Sequence, residues 1–240
     1  MAPPAVLLLH GFTHTGASWD PVIAALGERY RPLAPDLRGH GARSELEPVT
    51  LDAVIGDIAA LSAPRFTLVG YSMGGRIALH TALALRERVD RLVLIGASPG
   101  IRDPRARAER RRDDERLAAE IESEEIDEFA RRWAATPVLA GQPPSVATAA
   151  YEDRLRSTPT GLARALRGLG TGALPSLWDR LGELVMHVAL VVGERDERFT
   201  AIAAEMVDAL PTAELLVVSD AGHAVHLEAP ERVADAIVRG

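Results

Sequence analysis

The stretch Gly70-Tyr71-Ser72-Met73-Gly74 constrains this chain more than any other. A short apolar run at 66–69 leads straight into it, and a helix-forming stretch at 75–85 follows. The pattern G-x-S-x-G alone is common by chance. Between a strand and a helix it is specific, because the reversal there holds the serine in a strained backbone geometry and the flanking glycines leave room for it. Such a turn projects the serine above the end of a strand, at the positive end of a helix. The rest of the chain must then supply a sheet around it.

It does. Four more continuous apolar runs, at 6–9, 92–95, 188–192 and 215–218, suit parallel strands covered on both faces, and a weaker one at 31–34 leads into Pro35-Asp36. Helical patterns lie between them. Leu51, Val54, Ile55, Ile58 and Leu61 share one face behind Thr50 as N-cap. Ile202, Met206 and Leu210 recur at four-residue spacing before Pro211, and Val233 and Ile237 repeat the pattern after Pro230. Strand–helix alternation of this kind predicts an α/β fold with a mostly parallel sheet and helices on both faces. Residues 101–175 interrupt it: they are charged and strand-free, with apolar positions at Leu117, Ile121, Ile126, Phe129 and Trp133, and then Pro137, Pro143, Pro144 and Pro159. They read as an all-helical lid (cap) of short helices inserted into a core formed by 1–100 and 176–240.

Composition narrows the function. No cysteine is present, so disulfides and thiolate metal sites are excluded. A chain of this size buries enough surface to fold without a metal, and none is expected. The net charge of −7 argues against nucleic-acid binding. Every basic residue is an arginine, which reads as codon bias. No apolar run approaches the ~18 residues a membrane span needs, and the run at 6–9 ends in His-Gly rather than a cleavage site. A cytoplasmic protein with neither membrane nor nucleic-acid partner is expected.

A serine hydroxyl is a weak nucleophile and a weak base until a neighbour takes or orients its proton. In a nucleophile elbow the partners follow in the order serine, acid, histidine. Asp196 follows the run at 188–192 and His223 the run at 215–218, so both emerge at the same sheet end as Ser72. Glu194 and Asp220 are rival acids that lie earlier in their loops; His226 is the rival base and reads as structural. Asp36 and His40 read as loop-shaping residues. An oxyanion needs donors: the Met73 amide, and one from His10-Gly11-Phe12, taken as the Phe12 amide. His10 itself is either a ligand contact or, better, a hydrogen-bonded loop residue.

His10-Gly11-Phe12, Asp36-Leu37-Arg38-Gly39-His40-Gly41, the elbow and Gly222-His223 together resemble the α/β-hydrolases over nearly the whole chain, which implies the α/β-hydrolase fold. The first strand begins only about five residues in, so the leading hairpin usual in that fold is expected to be missing or truncated. A narrower resemblance is to the 2-succinyl-6-hydroxy-2,4-cyclohexadiene-1-carboxylate synthases of menaquinone biosynthesis. It rests on Gly70-Tyr71-Ser72-Met73-Gly74-Gly75-Arg76, Ser98-Pro99-Gly100-Ile101, Ala106-Arg107-Ala108-Glu109-Arg110, Trp133, Gly193-Glu194-Arg195-Asp196-Glu197-Arg198-Phe199 and Ala221-Gly222-His223 with Pro230 behind it.

That resemblance implies a cofactor-independent lyase that eliminates pyruvate from a small anionic polycarboxylate. Its triad of Ser72, His223 and Asp196 acts as a base at the carbon beside the succinyl carbonyl. Arg76 lies one helical turn past Ser72, where a guanidinium faces the pocket or pairs with a nearby acid, because burying it unpaired is costly; its planar fork suits a carboxylate. Arg110 is assigned to substrate by the resemblance, against a solvated face in its arginine run. Trp133 either lines the pocket or packs within the stripe Ile126, Phe129, Trp133, and Tyr71 offers its hydroxyl to substrate. Two alternatives stand beside this one, and the first shares its residues. One is a serine hydrolase of a carboxylated ester, thioester or vinylogous diketone; the other is a binding protein on the same scaffold, whose mark would be a broken triad or a missing oxyanion loop.

Overall fold

A computed structural model describes residues 3–239; Met1, Ala2 and Gly240, which fall within the expected core bounds, lie outside the described residues. Six strands form one sheet in the order β2-β1-β3-β4-β5-β6, every pair parallel. They are β1 (Ala5–Leu9), β2 (Arg31–Leu33), β3 (Phe66–Tyr71), β4 (Val89–Ile95), β5 (His187–Gly193) and β6 (Ala213–Val218). The weak run became the edge strand β2, where a strand needs less apolar character because only one neighbour holds it.

The continuous apolar runs are explained by layers on both faces. Leu7, Leu9, Leu68, Leu92, Leu94, Val188 and Leu190 pack under the helices α2 (Leu51–Leu61), α3 (Met73–Ala84) and α8 (Glu197–Ala209). The alternate residues Val6, Leu8, Val69, Tyr71, Val93, Ile95 and Val191 face the other way, toward α1 (Asp20–Leu26), α9 (Val225–Glu228) and α10 (Pro230–Val238). With a period of two along each strand, both parities must be apolar. Thr50 caps α2, its hydroxyl accepting from the Ala53 amide at 3.3 Å.

Between β4 and β5 lie α4 (Pro104–Ser123), α5 (Ile126–Ala134), α6 (Pro144–Arg154) and α7 (Pro159–Leu169), with no strand among the described residues. The first of these is long rather than short: Asp103 caps it and Pro104 opens it, and no proline interrupts it until after Ser123. Ala118, Ile121, Phe129, Leu162, Ala163 and Leu166 form a cluster of their own in this insertion. It is tied to the loop after β1 by a buried polar contact. Asp153, near the end of α6, accepts from the Thr15 amide at 2.9 Å, the Thr15 hydroxyl at 2.5 Å and His14 Nδ1 at 3.1 Å. Burial pushes this carboxyl up, but the hydrogen bonds from His14 and Thr15 outweigh it and hold the pKa at about 2. The pair is therefore an ionised Asp153 and a His14 kept neutral by burial.

Candidate active site

Ser72 closes β3 and opens α3 with φ 51° and ψ −110°, a conformation that costs a β-carbon-bearing residue of order 1–3 kcal/mol. It survives because its surroundings determine it. The Ser72 amide donates to the Ile95 carbonyl at 2.9 Å, and a β-carbon on Gly74 would collide with the carbonyl oxygens of Leu9 and His10. The helix begins at Met73, two residues earlier than expected: glycine is a poor helix former, yet here close packing of helix on strand requires Gly74 and Gly75 inside the first turn.

Above the carboxyl end of the sheet, His223 Nε2 lies 3.1 Å from Ser72 Oγ, and His223 Nδ1 lies 2.6 Å from Asp196 Oδ2. Asp196 is also the N-cap of α8, its Oδ1 accepting from the Phe199 amide at 3.2 Å. One carboxylate thus orients the imidazole and is itself fixed by a helix end. The Phe199 ring packs at a tilt against the His223 ring, centroids 4.5 Å apart. Gly96 makes the close approach possible, since a β-carbon there would lie 2.8 Å from His223 Cε1. The amides of Phe12 and Met73 take part in none of the described loop or cap hydrogen bonds, and both residues line the cavity at Ser72. Met73 is the first residue of α3, so its amide has no acceptor within the helix.

The rivals sit elsewhere. Glu194 is exposed and accepts from the Asp220 amide at 3.2 Å, so the two acids belong to one surface turn. His226 is fully buried, 4.1 Å from Tyr71 and 4.9 Å from Trp19 between ring centroids, and is not at the cavity. Asp36 accepts from the Gly16 and Ala42 amides, each at 2.8 Å, and His40 is buried with Nδ1 3.3 Å from the Arg38 carbonyl oxygen. His10 donates to the Gly11 carbonyl and accepts from the Leu37 amide, both at 2.9 Å, and does not reach the cavity.

The cavity holds about 440 Å³ and is lined by Ser72, His223, Arg76, Arg110 and Trp133, among others. Arg76 is buried at 8% exposure, its Nε lacks a partner, and it belongs to none of the described ion pairs. Burial, then the neighbouring Arg110, pushes its pKa down to about 10. Arg110 is held by Asp114 at 2.6 Å, and Asp114 in turn accepts from the Gly172 amide at 3.0 Å. Trp133 packs edge-on to Phe12 at 5.3 Å and also touches Phe129, so it packs and lines at once.

Tyr71 corrects the expectation. It shares the parity of Val69, faces the α1/α10 layer, and does not line the cavity. Burial pushes its phenol well above the ordinary range, so it stays neutral. Three further residues were not anticipated. Arg102 and Trp178 line the cavity, with the Arg102 guanidinium 3.6 Å over the Trp178 ring. Arg154 is fully buried, with Nε 3.2 Å from the Thr13 hydroxyl and both terminal nitrogens unpartnered. No sequence signal separates Arg154 from the many other arginines of the insertion. Among the described residues no group of three or more His, Asp or Glu is arranged to hold a metal ion, and no helix is long and apolar enough to cross a membrane.

The sequence profile of the alpha/beta hydrolase family matches residues 6–236. A Bacillus subtilis (strain 168) protein, provisionally named a 2-succinyl-6-hydroxy-2,4-cyclohexadiene-1-carboxylate synthase, is 36% identical over 95% of this chain and 87% of its own. The synthase of that name from Salmonella paratyphi C (strain RKS4594) is 32% identical over 98% of this chain and 93% of its own. The structure of MenH from S. aureus superposes with a TM-score of 0.93 at 30% identity, covering 98% of this chain and 92% of that one.

Proposed function

Since the chain belongs to the alpha/beta hydrolase family, and within it to the 2-succinyl-6-hydroxy-2,4-cyclohexadiene-1-carboxylate synthases, we propose that it eliminates pyruvate from 2-succinyl-5-enolpyruvyl-6-hydroxy-3-cyclohexene-1-carboxylate in menaquinone biosynthesis. It is thus a carbon–oxygen lyase built on a hydrolase scaffold, acting on a small anionic molecule. The observation that carries this reading is Arg76, a buried guanidinium without a described counter-ion in the cavity that Ser72 opens onto. A cavity for neutral esters has no use for it, whereas a polycarboxylate supplies the charge it lacks.

In this reading His223, held by Asp196, accepts the Ser72 proton as Ser72 Oγ removes a proton from the carbon beside the succinyl carbonyl. The 3.1 Å and 2.6 Å hydrogen bonds support that relay. The negative charge develops on the carbonyl oxygen, where the Phe12 and Met73 amides stabilise it. Electrons then move through the ring double bond and expel the enolpyruvyl oxygen; the enolpyruvate released takes up a proton and becomes pyruvate. Arg76 and Arg110 hold carboxylates, Trp133 covers the ring, and residues 101–175 act as a cap over the core. All steps use protein side chains and amides alone.

The test is to supply the enolpyruvyl intermediate and p-nitrophenyl esters in parallel. Pyruvate release with slow ester turnover is expected. Rapid ester turnover without pyruvate would instead favour the covalent serine hydrolase.

A further inference from the structure

Four arginines line the cavity, and their partners differ. Arg102 is committed to Glu205 and Arg110 to Asp114, each at 2.6 Å. The guanidinium groups of Arg76 and Arg198 belong to none of the described ion pairs or side-chain hydrogen bonds. Arg76 is buried and already has a place in the site; Arg198 does not. It is the second residue of α8, and a cation in the first turn of a helix opposes the helix dipole, so local stability disfavours an arginine there. Phe199 and, one turn on, Ile202 line the same cavity, which makes this the face of α8 turned into the site. The Arg198 guanidinium sits 5.7 Å from the Phe199 ring centroid, and that ring packs against His223. The cation therefore stands one aromatic ring from the catalytic histidine, at the exposed end of the cavity, in a protein of net charge −7.

We infer that Arg198 captures a substrate carboxylate at the mouth of the cavity, as an anion contact from α8 additional to Arg76 and Arg110. The inference rests on the substrate being a polycarboxylate. An exposed guanidinium is screened by water and salt, so it acts on capture rather than on the chemical step. It belongs in KM, not kcat.

Pyruvate release is to be followed for the wild-type protein, Arg198→Ala and Arg198→Lys at low and raised salt. In Arg198→Ala, KM rises about tenfold with kcat within about twofold, and kcat/KM falls less steeply with salt. Arg198→Lys keeps KM within about threefold of wild type, because the charge is retained. The Tm of Arg198→Ala is unchanged or higher, since a cation has left the helix N-terminus. If the wild type releases pyruvate and Arg198→Ala keeps its KM and salt dependence, the contact is wrong and the function stands. If the wild type releases none, calorimetric titration with citrate decides the contact separately. Binding about tenfold weaker in Arg198→Ala supports it; equal binding, or none to the wild type, overturns it.

Discussion

Arg76 and Arg110 present two guanidinium groups to one cavity, and only Arg110 has a described carboxylate partner, Asp114 at 2.6 Å. Arg76 is buried and Arg110 part-exposed; the Arg76 pKa of about 10 reflects burial first and the repulsion of this neighbour second, with Asp114 opposing both. In the proposed function an anionic substrate supplies the charge that Arg76 lacks. Arg76→Met is therefore expected to leave Tm unchanged or raise it, while kcat/KM falls by about tenfold to a hundredfold, corresponding to about 1.5–3 kcal/mol for a charged hydrogen bond. Thermal melts and steady-state kinetics on the same preparation check both halves; a lower Tm with unchanged kcat/KM would make Arg76 structural.

The backbone at Ser72 predicts a trade between stability and function. Glycine adopts φ 51° and ψ −110° without a β-carbon penalty, so Ser72→Gly should be more stable than Ser72→Ala by about 1–2 kcal/mol. In a chain of this length that is about 2–8 °C in Tm. Both variants should lack activity. Equal melting points would mean that the turn is not strained.

Acid should destabilise the protein through its buried histidines. Burial holds His10 down at about 4, and its hydrogen bonds agree: Nε2 accepts from the Leu37 amide, so a proton there would face another donor. Because this histidine protonates more easily unfolded, near 6.5, than folded, the unfolded state binds more protons between those values. Stability is then full above about pH 6.5 and falls as pH drops toward 4. At pH 5 His10 alone accounts for about 2 kcal/mol, with His14, His40 and His226 shifted in the same direction. Melting at pH 7 and pH 5 should differ by several degrees at least; equal values would refute neutral burial.

Much of this was legible in the sequence, for reasons that also mark where legibility ended. The strand runs were readable because both faces of a parallel sheet are buried, and Ser72, Asp196 and His223 because each directly follows the end of a strand or lies in the loop beyond it. Adjacency to Ser72 in the chain does not put Tyr71 on the cavity wall. Strand parity was the better guide, since Val69, two residues earlier, already faces the α1/α10 layer. The start of α3 at Met73, two residues before the stretch at 75–85, is set by the close packing of Gly74 and Gly75 on neighbouring strands and loops, which the local sequence does not show. The contact between Asp153 and Thr15 joins residues 138 apart in the chain, and nothing in the acid-rich insertion marks Asp153 among its neighbours.

That contact carries its own prediction. Asp153→Ala leaves the Thr15 amide, the Thr15 hydroxyl and His14 without their acceptor in a buried place, which costs about 3 kcal/mol or more at about 1–3 kcal/mol for each buried group left unpaired. Amide hydrogen exchange should rise first in α6 and in residues 13–15, ahead of the central strands. Uniform loss of protection across the sheet would show that the contact does not anchor the insertion.

The most direct measurement is the time course of pyruvate and of the cyclohexadiene product from the enolpyruvyl intermediate, for the wild-type protein beside Ser72→Ala and His223→Ala. Pyruvate and diene should appear together in equal amounts, and each variant should be slowed by about 10³-fold or more. Wild-type protein that forms neither product, or Ser72→Ala that forms both at the wild-type rate, would contradict the account.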